Sequence, residues 1–226
     1  MKRTYHLPQI PHWHREHQGE LRWPVSAVVL LVIILQLLLP SSLSLKSQPI
    51  ICAVEGALLL ALIIMSPTRI HIHKAQRWWM GIALNLVMSL SNVASVILLI
   101  RELIHGGITD AGSLLASGGS IWLTNVVVFG LWYWELDREG PGARAEARDP
   151  YPDFIFPQMS DPSYAPESWH PNFFDYLYTS FTNASAFSPT DVMPLTRWAK
   201  LLMLIQSTTS LLTVGLVIAR AVNILK

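Results

Sequence analysis

The chain has 226 residues, 51% of them hydrophobic and only 14% charged, with a formal net charge of +1 and a mean hydropathy of +0.37. That balance is too apolar and too sparsely charged for an ordinary water-soluble domain, and its near-neutral charge offers nothing to a nucleic-acid backbone. The lone cysteine, Cys52, excludes an intrachain disulfide and leaves the redox compartment unread.

Residues 1–22 form a polar N-terminal segment. It contains His12, His14 and His17, and His71 and His73 lie in a later loop expected on the same side. Five imidazoles are a weak candidate for a metal site, because no cysteine or H-E-x-x-H motif accompanies them. The same residues equally suit a pH-sensitive patch at a membrane surface.

Five apolar runs follow: Trp23 to Leu39, Ile50 to Met65, Trp78 to Ile100, Ser113 to Trp134, and Trp198 to Leu225. A helix crossing a bilayer needs about 20 apolar residues, with about 17 the lower limit, so the last three qualify readily and the first two are near that limit. Tryptophans at the run ends (Trp23, Trp78, Trp79, Trp132, Trp134, Trp198) suit the headgroup layer. No small-x-small cleavage site follows the first run, so it is expected to stay as a span. The expected fold is an all-α integral membrane protein of about five transmembrane helices. Residues 23–111 hold three peripheral helices and residues 112–226 a pore-like module.

Lys2, Arg3, Arg15 and Arg22 precede the first run, and Arg69, Lys74 and Arg77 fill the loop after the second. Both segments lie on one side of the membrane, and their positive charge predicts a cytoplasmic N-terminus. Glu55 is the one carboxylate well inside a run, and intramembrane ionisable groups are functional candidates by default. It is expected either to be protonated, or to pair with Asn85, Asn92 or Asn125 on neighbouring spans, or to snorkel to the headgroup layer. Gly118-Gly119 reads as close helix packing.

Residues 135–172 change character, with Pro152, Pro157, Pro162 and Pro166 set among aromatics. Proline blocks helix and withholds a donor, so this segment reads as an irregular cap or interfacial strap, or more plainly as a loop. From Phe173 to Asn183 a helix of about three turns is expected, with Phe174, Leu177, Tyr178 and Phe181 on one face. Too short to cross, it suits a re-entrant helix, with residues 184–191 returning to the surface.

That stretch resembles the pore loop of potassium channels. Asp191, Pro194 and Thr196 keep the D-x-x-P-x-T spacing that follows the channel filter, and Lys200 then opens the last apolar run. Ser188, Pro189 and Thr190 stand where the filter has G-Y-G. A potassium filter needs glycine backbone freedom, which proline in particular lacks, so no potassium-selective filter is expected. The filter-like loop comprises Ala184, Ser185, Ala186, Phe187, Ser188, Pro189, Thr190 and Asp191, and a ring of Asp191 carboxylates would favour cations. The plainer reading is that Asp191 and Ser188 cap a helix or close a turn.

In the last helix Gln206, Ser210 and Thr213 share a face, with Arg220 about 40° away around the helix. They are candidates to line a cavity, or else polar groups that join packed helices. No Arg-every-third-residue pattern marks a voltage sensor, and no phosphate loop or hydrolase motif points to an enzyme or a cofactor.

From Trp132 to Leu225 the chain also resembles a group of small bacterial membrane proteins of unknown function. Asp175, Tyr176, Leu177, Tyr178, Ser180, Phe181, Phe187, Thr190 and Asp191, then Ala221-Val222-Asn223, carry that likeness. It implies a bacterial inner-membrane location and about five spans, and supplies no substrate. The functional expectation is a homotetrameric, ion-conducting pore in the lipid bilayer, neither potassium-selective nor voltage-gated. The alternatives are a non-conducting relative acting through partner or lipid binding, and a proton-coupled transporter using Glu55.

Overall fold

The computed structural model describes residues 11–105, 110–185 and 191–224. The chain is dominated by helices: α1 (Trp23–Leu38), α2 (Gln48–Met65), α3 (Ala75–His105), α4 (Ala111–Leu136), α5 (Pro141–Ala145), α6 (Pro157–Ser160), α7 (Phe173–Ser185) and α8 (Arg197–Ile224). Two short antiparallel pairs complete it. Strand β1 (Glu20–Leu21) pairs with β2 (Arg69–Ile70), and β3 (Phe154–Ile155) pairs with β4 (Met193–Pro194).

Four helices, α2, α3, α4 and α8, are long and apolar enough to cross a membrane. Of the two runs near the lower limit, the second forms the 18-residue α2, whereas the first forms α1 with 16 residues, about 24 Å long. Pro24 starts it, and Leu39 leaves it in an extended conformation before Pro40, as a residue preceding proline must. In contrast, α3 overruns its expected limits at both ends, because Gln76-Arg77 and Arg101-Glu102-Leu103 are good helix formers that keep the backbone bonds going past the apolar stretch.

Helix α4 is the hub and touches α1, α3, α7 and α8, while α2 lies against α1 and α3. The ends of the helices sort into two levels. The β1–β2 pair ties the start of α1 to the end of α2. At the same level lie the start of α3, the end of α4 and the proline-rich segment: Trp78 Nε1 donates to the Glu135 carbonyl at 3.1 Å, and Arg77 Nη2 to the Ile72 carbonyl at 2.8 Å. We call this level the cap.

The helices are inside-out relative to a water-soluble bundle. The buried face of α8 is Ala199, Gln206, Ser210, Thr213, Val217 and Ala221, whereas Leu201, Leu204, Leu211, Leu212, Ile218 and Val222 are exposed. In α3 the polar Asn85, Ser91, Asn92 and Ser95 are buried, with Leu86, Leu90, Val93 and Ile97 outside. Apolar surface outside and polar groups bonded to one another inside is the arrangement an apolar solvent favours, and it is compatible with a multi-pass membrane protein.

Candidate functional site

The helix that follows the cap runs antiparallel to α4 and parallel to α8. Its Tyr176 hydroxyl donates to Asp137 just beyond α4, and Ser180 Oγ donates to the Val126 carbonyl at 2.6 Å, farther down α4. In its last turn the Ala184 carbonyl accepts from Ser210 Oγ, well inside α8. With 13 residues, α7 is about 20 Å long. The chain is then back at the cap by β4, and Leu195 N donates to the Asp153 carbonyl at 2.8 Å. Of the filter-like residues, Ala184 is buried, Ser185 is half-buried with its hydroxyl on the Phe181 carbonyl, and Asp191 is exposed. Ala186, Phe187, Ser188, Pro189 and Thr190 lie outside the described residues.

Aromatic residues of α7 that share a face do not turn inward. Phe174, Tyr178 and Phe181 are exposed, and the buried face is Phe173, Tyr176, Thr179, Ser180 and Ala184. The Tyr176 and Ser180 hydroxyls on that second face find a cap carboxylate and an α4 carbonyl, which outweighs the burial of three aromatic rings that lipid or another protein surface can cover.

Gln206 explains why α7 is held there. Its Oε1 accepts from the Tyr133 hydroxyl at 2.6 Å and from Asn183 Nδ2 at 2.7 Å. Its Nε2 donates to Ser180 O at 2.9 Å and to Ser180 Oγ at 2.6 Å. One buried amide thus uses both donors and both lone pairs to join α4, α7 and α8. Ser210 extends the set by accepting from Trp122 Nε1 at 2.7 Å, and Ser207 Oγ donates to Asn183 Oδ1 at 3.0 Å. Thr213, also buried, donates to the Thr209 carbonyl within its own helix. Three of the candidate lining residues therefore face α4 and α7 inside the protomer, and Arg220 is half-buried near the far end of α8. Gly118 serves close packing as expected: a Cβ there would sit 2.7 Å from Val217 Cγ2 of α8. Below the end of α7 a groove of about 880 Å³ opens between α4, α7 and α8, walled by Leu115, Trp122, Phe181, Leu211, Val214 and Ile218.

The cap holds a second network, invisible to local pattern. Arg144 and Glu20 are both buried and form an ion pair at 2.7 Å. Arg144 Nη1 also donates to the Trp134 and Asp137 carbonyls at 2.7 and 2.8 Å, and its guanidinium lies 4.9 Å from the centre of the Tyr176 ring. Glu20 Oε2 accepts from Trp134 Nε1 at 2.6 Å. Burial by itself would lower the Arg144 pKa, but Glu20, Tyr176 and Asp137 outweigh it and hold the group above its ordinary value. A tight turn makes this possible: Arg138, Glu139 and Gly140 all take positive φ, and Gly140, at +90°, also leaves no room for a Cβ beside the Glu135 carbonyl. Asp153 is fixed by Arg138 N at 3.1 Å and Trp198 Nε1 at 2.9 Å, and burial raises its pKa.

His17 belongs to this network. It stacks on His170 with ring centres 3.7 Å apart, and its Nδ1 accepts from Gly19 N at 3.1 Å. Burial, then His170, Arg144, Arg138 and Arg69, lower its pKa to about 3. His14 stands beside Trp13, His73 beside Trp78, and His71 is exposed. Among the described residues no three His, Cys, Asp or Glu side chains gather as metal ligands, and the His12 side chain lies outside them.

Glu55 is fully enclosed, at 0% exposure, and its partner is none of the asparagines expected. Gln36 of α1 donates Nε2 to Glu55 Oε1 at 3.3 Å, and among the described residues no partner meets Glu55 Oε2. Gln48 Nε2 donates to Gln36 Oε1 at 2.8 Å and to Ser91 Oγ of α3 at 3.0 Å, and Cys52 Sγ lies 3.6 Å from Gln36 Oε1. Asn125 turns to α8, 3.5 Å from the Gln206 carbonyl, and Asn85 lines a small cavity with Arg22, Arg77 and Glu135. Gln36 is the only polar side chain between Ser26 and Leu38, which is the signal that marks it in the sequence. Comparison with protein-family models, curated proteins and solved structures finds no match for this chain.

Proposed function

We propose that the chain is the protomer of a channel-like membrane oligomer, most simply a homotetramer, in which α7 is a re-entrant helix and residues 184–191 form the constriction. The observation that carries this reading is the path of α7. It leaves the cap, ends beside Ser210 in the apolar depth of α8, and the chain is at the cap again by Met193. A helix that stops at that depth directs its partly negative C-terminus toward the place where a cation would shed water. Backbone returning from that depth is tolerated only where protein or water covers it, and one protomer leaves Phe174, Tyr178 and Phe181 bare. Neighbouring copies would supply the cover. The N-terminus and cap then lie on the cytoplasmic side, the membrane is the bacterial inner membrane, and the pore is neither potassium-selective nor voltage-gated.

Ion flux through liposomes holding the purified chain tests this. Cation flux is expected, and Asp191→Asn is expected to lower it several-fold by removing the exposed carboxylate at the mouth. Absence of flux with potassium, sodium, ammonium and chloride alike sinks the proposal.

A second reading has its own observation in favour. Gln206, Ser210 and Thr213 are occupied inside the protomer, and the face α8 leaves open is Leu201, Leu204, Leu211, Leu212 and Ile218. Such a wall repels water. On this reading the module is non-conducting, and the apolar groove between α4, α7 and α8 takes a lipid acyl chain. Lipid retained through detergent purification in native mass spectra, and displaced by Gly119→Trp in the groove, would support it over the channel.

A further inference from the structure

The cluster around Glu55 lies on α1, α2 and α3, outside the pore-like module, and does not depend on whether that module conducts. Two facts about it stand together. The carboxylate is completely enclosed, and among the described residues one oxygen is bonded to a neutral amide and the other to nothing. No cation among the described residues faces it. Helix α1 carries no charged side chain between Trp23 and Leu38, and α3 carries none between Trp78 and Ile100. The titratable group nearest on its own helix is Cys52. Arg77 and Arg101 sit at the two ends of α3, and Lys46 is exposed before α2 begins. Among the described residues Glu55 enters no ion pair, in contrast to Glu20.

An ionised carboxylate with one amide donor and no counter-charge is the least favourable occupant of such a site. Its desolvation costs several kcal/mol, and proteins escape that cost by neutralising the group. We propose that Glu55 is a reversible proton-binding site, with Gln36, Gln48 and Ser91 as the groups that rearrange to receive either state.

The neighbours suit that role because each is both donor and acceptor. When Glu55 is ionised, Gln36 gives its N–H to Oε1, as observed. When Glu55 is protonated, a half-turn of the Gln36 amide lets the carboxyl O–H donate to Gln36 Oε1. With the Gln48 amide, which now donates Nε2 to Gln36 Oε1, turned by the same half-turn, the Gln36 N–H₂ faces Gln48 Oε1 and Ser91 Oγ, and both can accept. Either state leaves the cluster bonded, which a purely structural acid does not require. The route out is toward the end of the helices opposite the cap: Gln48 is the first residue of α2, about 10 Å along the helix from Glu55. The proton leaves Glu55 for water at the 39–47 loop, and the carboxylate remains.

A proton fits this site better than a sodium ion. The cluster's oxygens are directed at neighbouring N–H, O–H and S–H groups rather than at a common centre, and a metal ion needs several oxygens converging on one point.

Infrared spectroscopy of the full chain in phosphatidylcholine bilayers reads the proton directly. An ordinary glutamate has a pKa of about 4.3 and shows no acid C=O band at neutral pH. The wild-type chain is expected to keep such a band at neutral pH and to lose it reversibly in alkali, and Glu55→Gln is expected to lack it. Gln36→Leu, which keeps the acid and removes its partner, is expected to move the band to higher frequency. The Leu variant keeps the test alive if Glu55→Gln fails to fold. No acid band at neutral pH, or a band that neither variant alters, overturns the proposal. So does a band that disappears when sodium replaces choline, since the site would then bind a metal cation in place of the proton.

Discussion

Two buried glutamates, one in the cap and one in the α1–α3 helices, are equally hidden and opposite in meaning. Glu20 is 4% exposed and has every oxygen answered, by Arg144 on one side and the Trp134 indole on the other. Glu55 is 0% exposed and answered on one oxygen by a neutral amide. Burial therefore does not separate a structural charge from a working one. What separates them is whether the fold supplied a counter-charge. The cap assembles from polar loops that carry arginines, so Glu20 meets a counter-charge there. The apolar middles of α1, α2 and α3 carry no arginine, and the acid placed among them, Glu55, has no counter-charge within its own helices.

The contrast can be broken first at its strongest point. Arg144→Met leaves Glu20 buried without its cation and removes two donors from the Trp134 and Asp137 carbonyls. It should cost about 3–5 kcal/mol in denaturant unfolding in detergent micelles, followed by tryptophan fluorescence. On the same assay Glu55→Gln, a neutral replacement for a group proposed to be neutral already, should leave stability within about 1 kcal/mol of wild type. A loss as large as that of Arg144→Met would erase the distinction.

Gln206→Leu tests a third kind of buried polar group, neutral and saturated. It takes the acceptor from the Tyr133 hydroxyl, one of two carbonyl acceptors from the Asn183 amide and a donor from Ser180, and should cost about 2–3 kcal/mol, loosening α7 before the rest. Protease nicking within 173–185 ahead of global unfolding would show this.

The smallest effect concerns pH. His17 is neutral in the folded cap, with a pKa lowered to about 3 against 6.5 for an unperturbed histidine. A lowered folded value means that the unfolded chain binds the proton first. The stabilisation is complete above about pH 6.5 and is lost progressively as pH falls toward 3. Acid should therefore release the 11–22 segment from the cap, read as earlier proteolysis at Arg15 below neutral pH, and His17→Gln should flatten that dependence.

Much of the architecture was legible locally. The long apolar runs, their tryptophan borders and their proline ends mark α2, α3, α4 and α8 within a few residues, because those signals act over one or two turns. The α7 helix was readable from the absence of breakers between Phe173 and Asn183, but which face it buries was not. Its hydrophobic pattern points to Phe174, Tyr178 and Phe181, and the fold buries Tyr176 and Ser180, whose partners Asp137 and Val126 lie 39 and 54 residues away. The polar stripe on α8 was legible as a stripe and ambiguous in purpose, since a hydroxyl that lines water and one that joins two helices leave the same spacing.

By itself the sequence determined that the chain is helical and apolar, roughly where its long helices lie, and that Glu55 stands alone in an apolar run. Propensity, capping and hydropathy are properties of neighbouring residues, so they survive without a fold. Only the tertiary structure decided that Arg144 would answer Glu20 across 124 residues and that Gln36 and Ser91 would surround Glu55 from two other helices. It also decided that Gln206 would spend all its hydrogen bonds inside the protomer. Those outcomes depend on which helices pack together, and the pairing of buried polar groups is settled only when packing has removed water as the alternative partner.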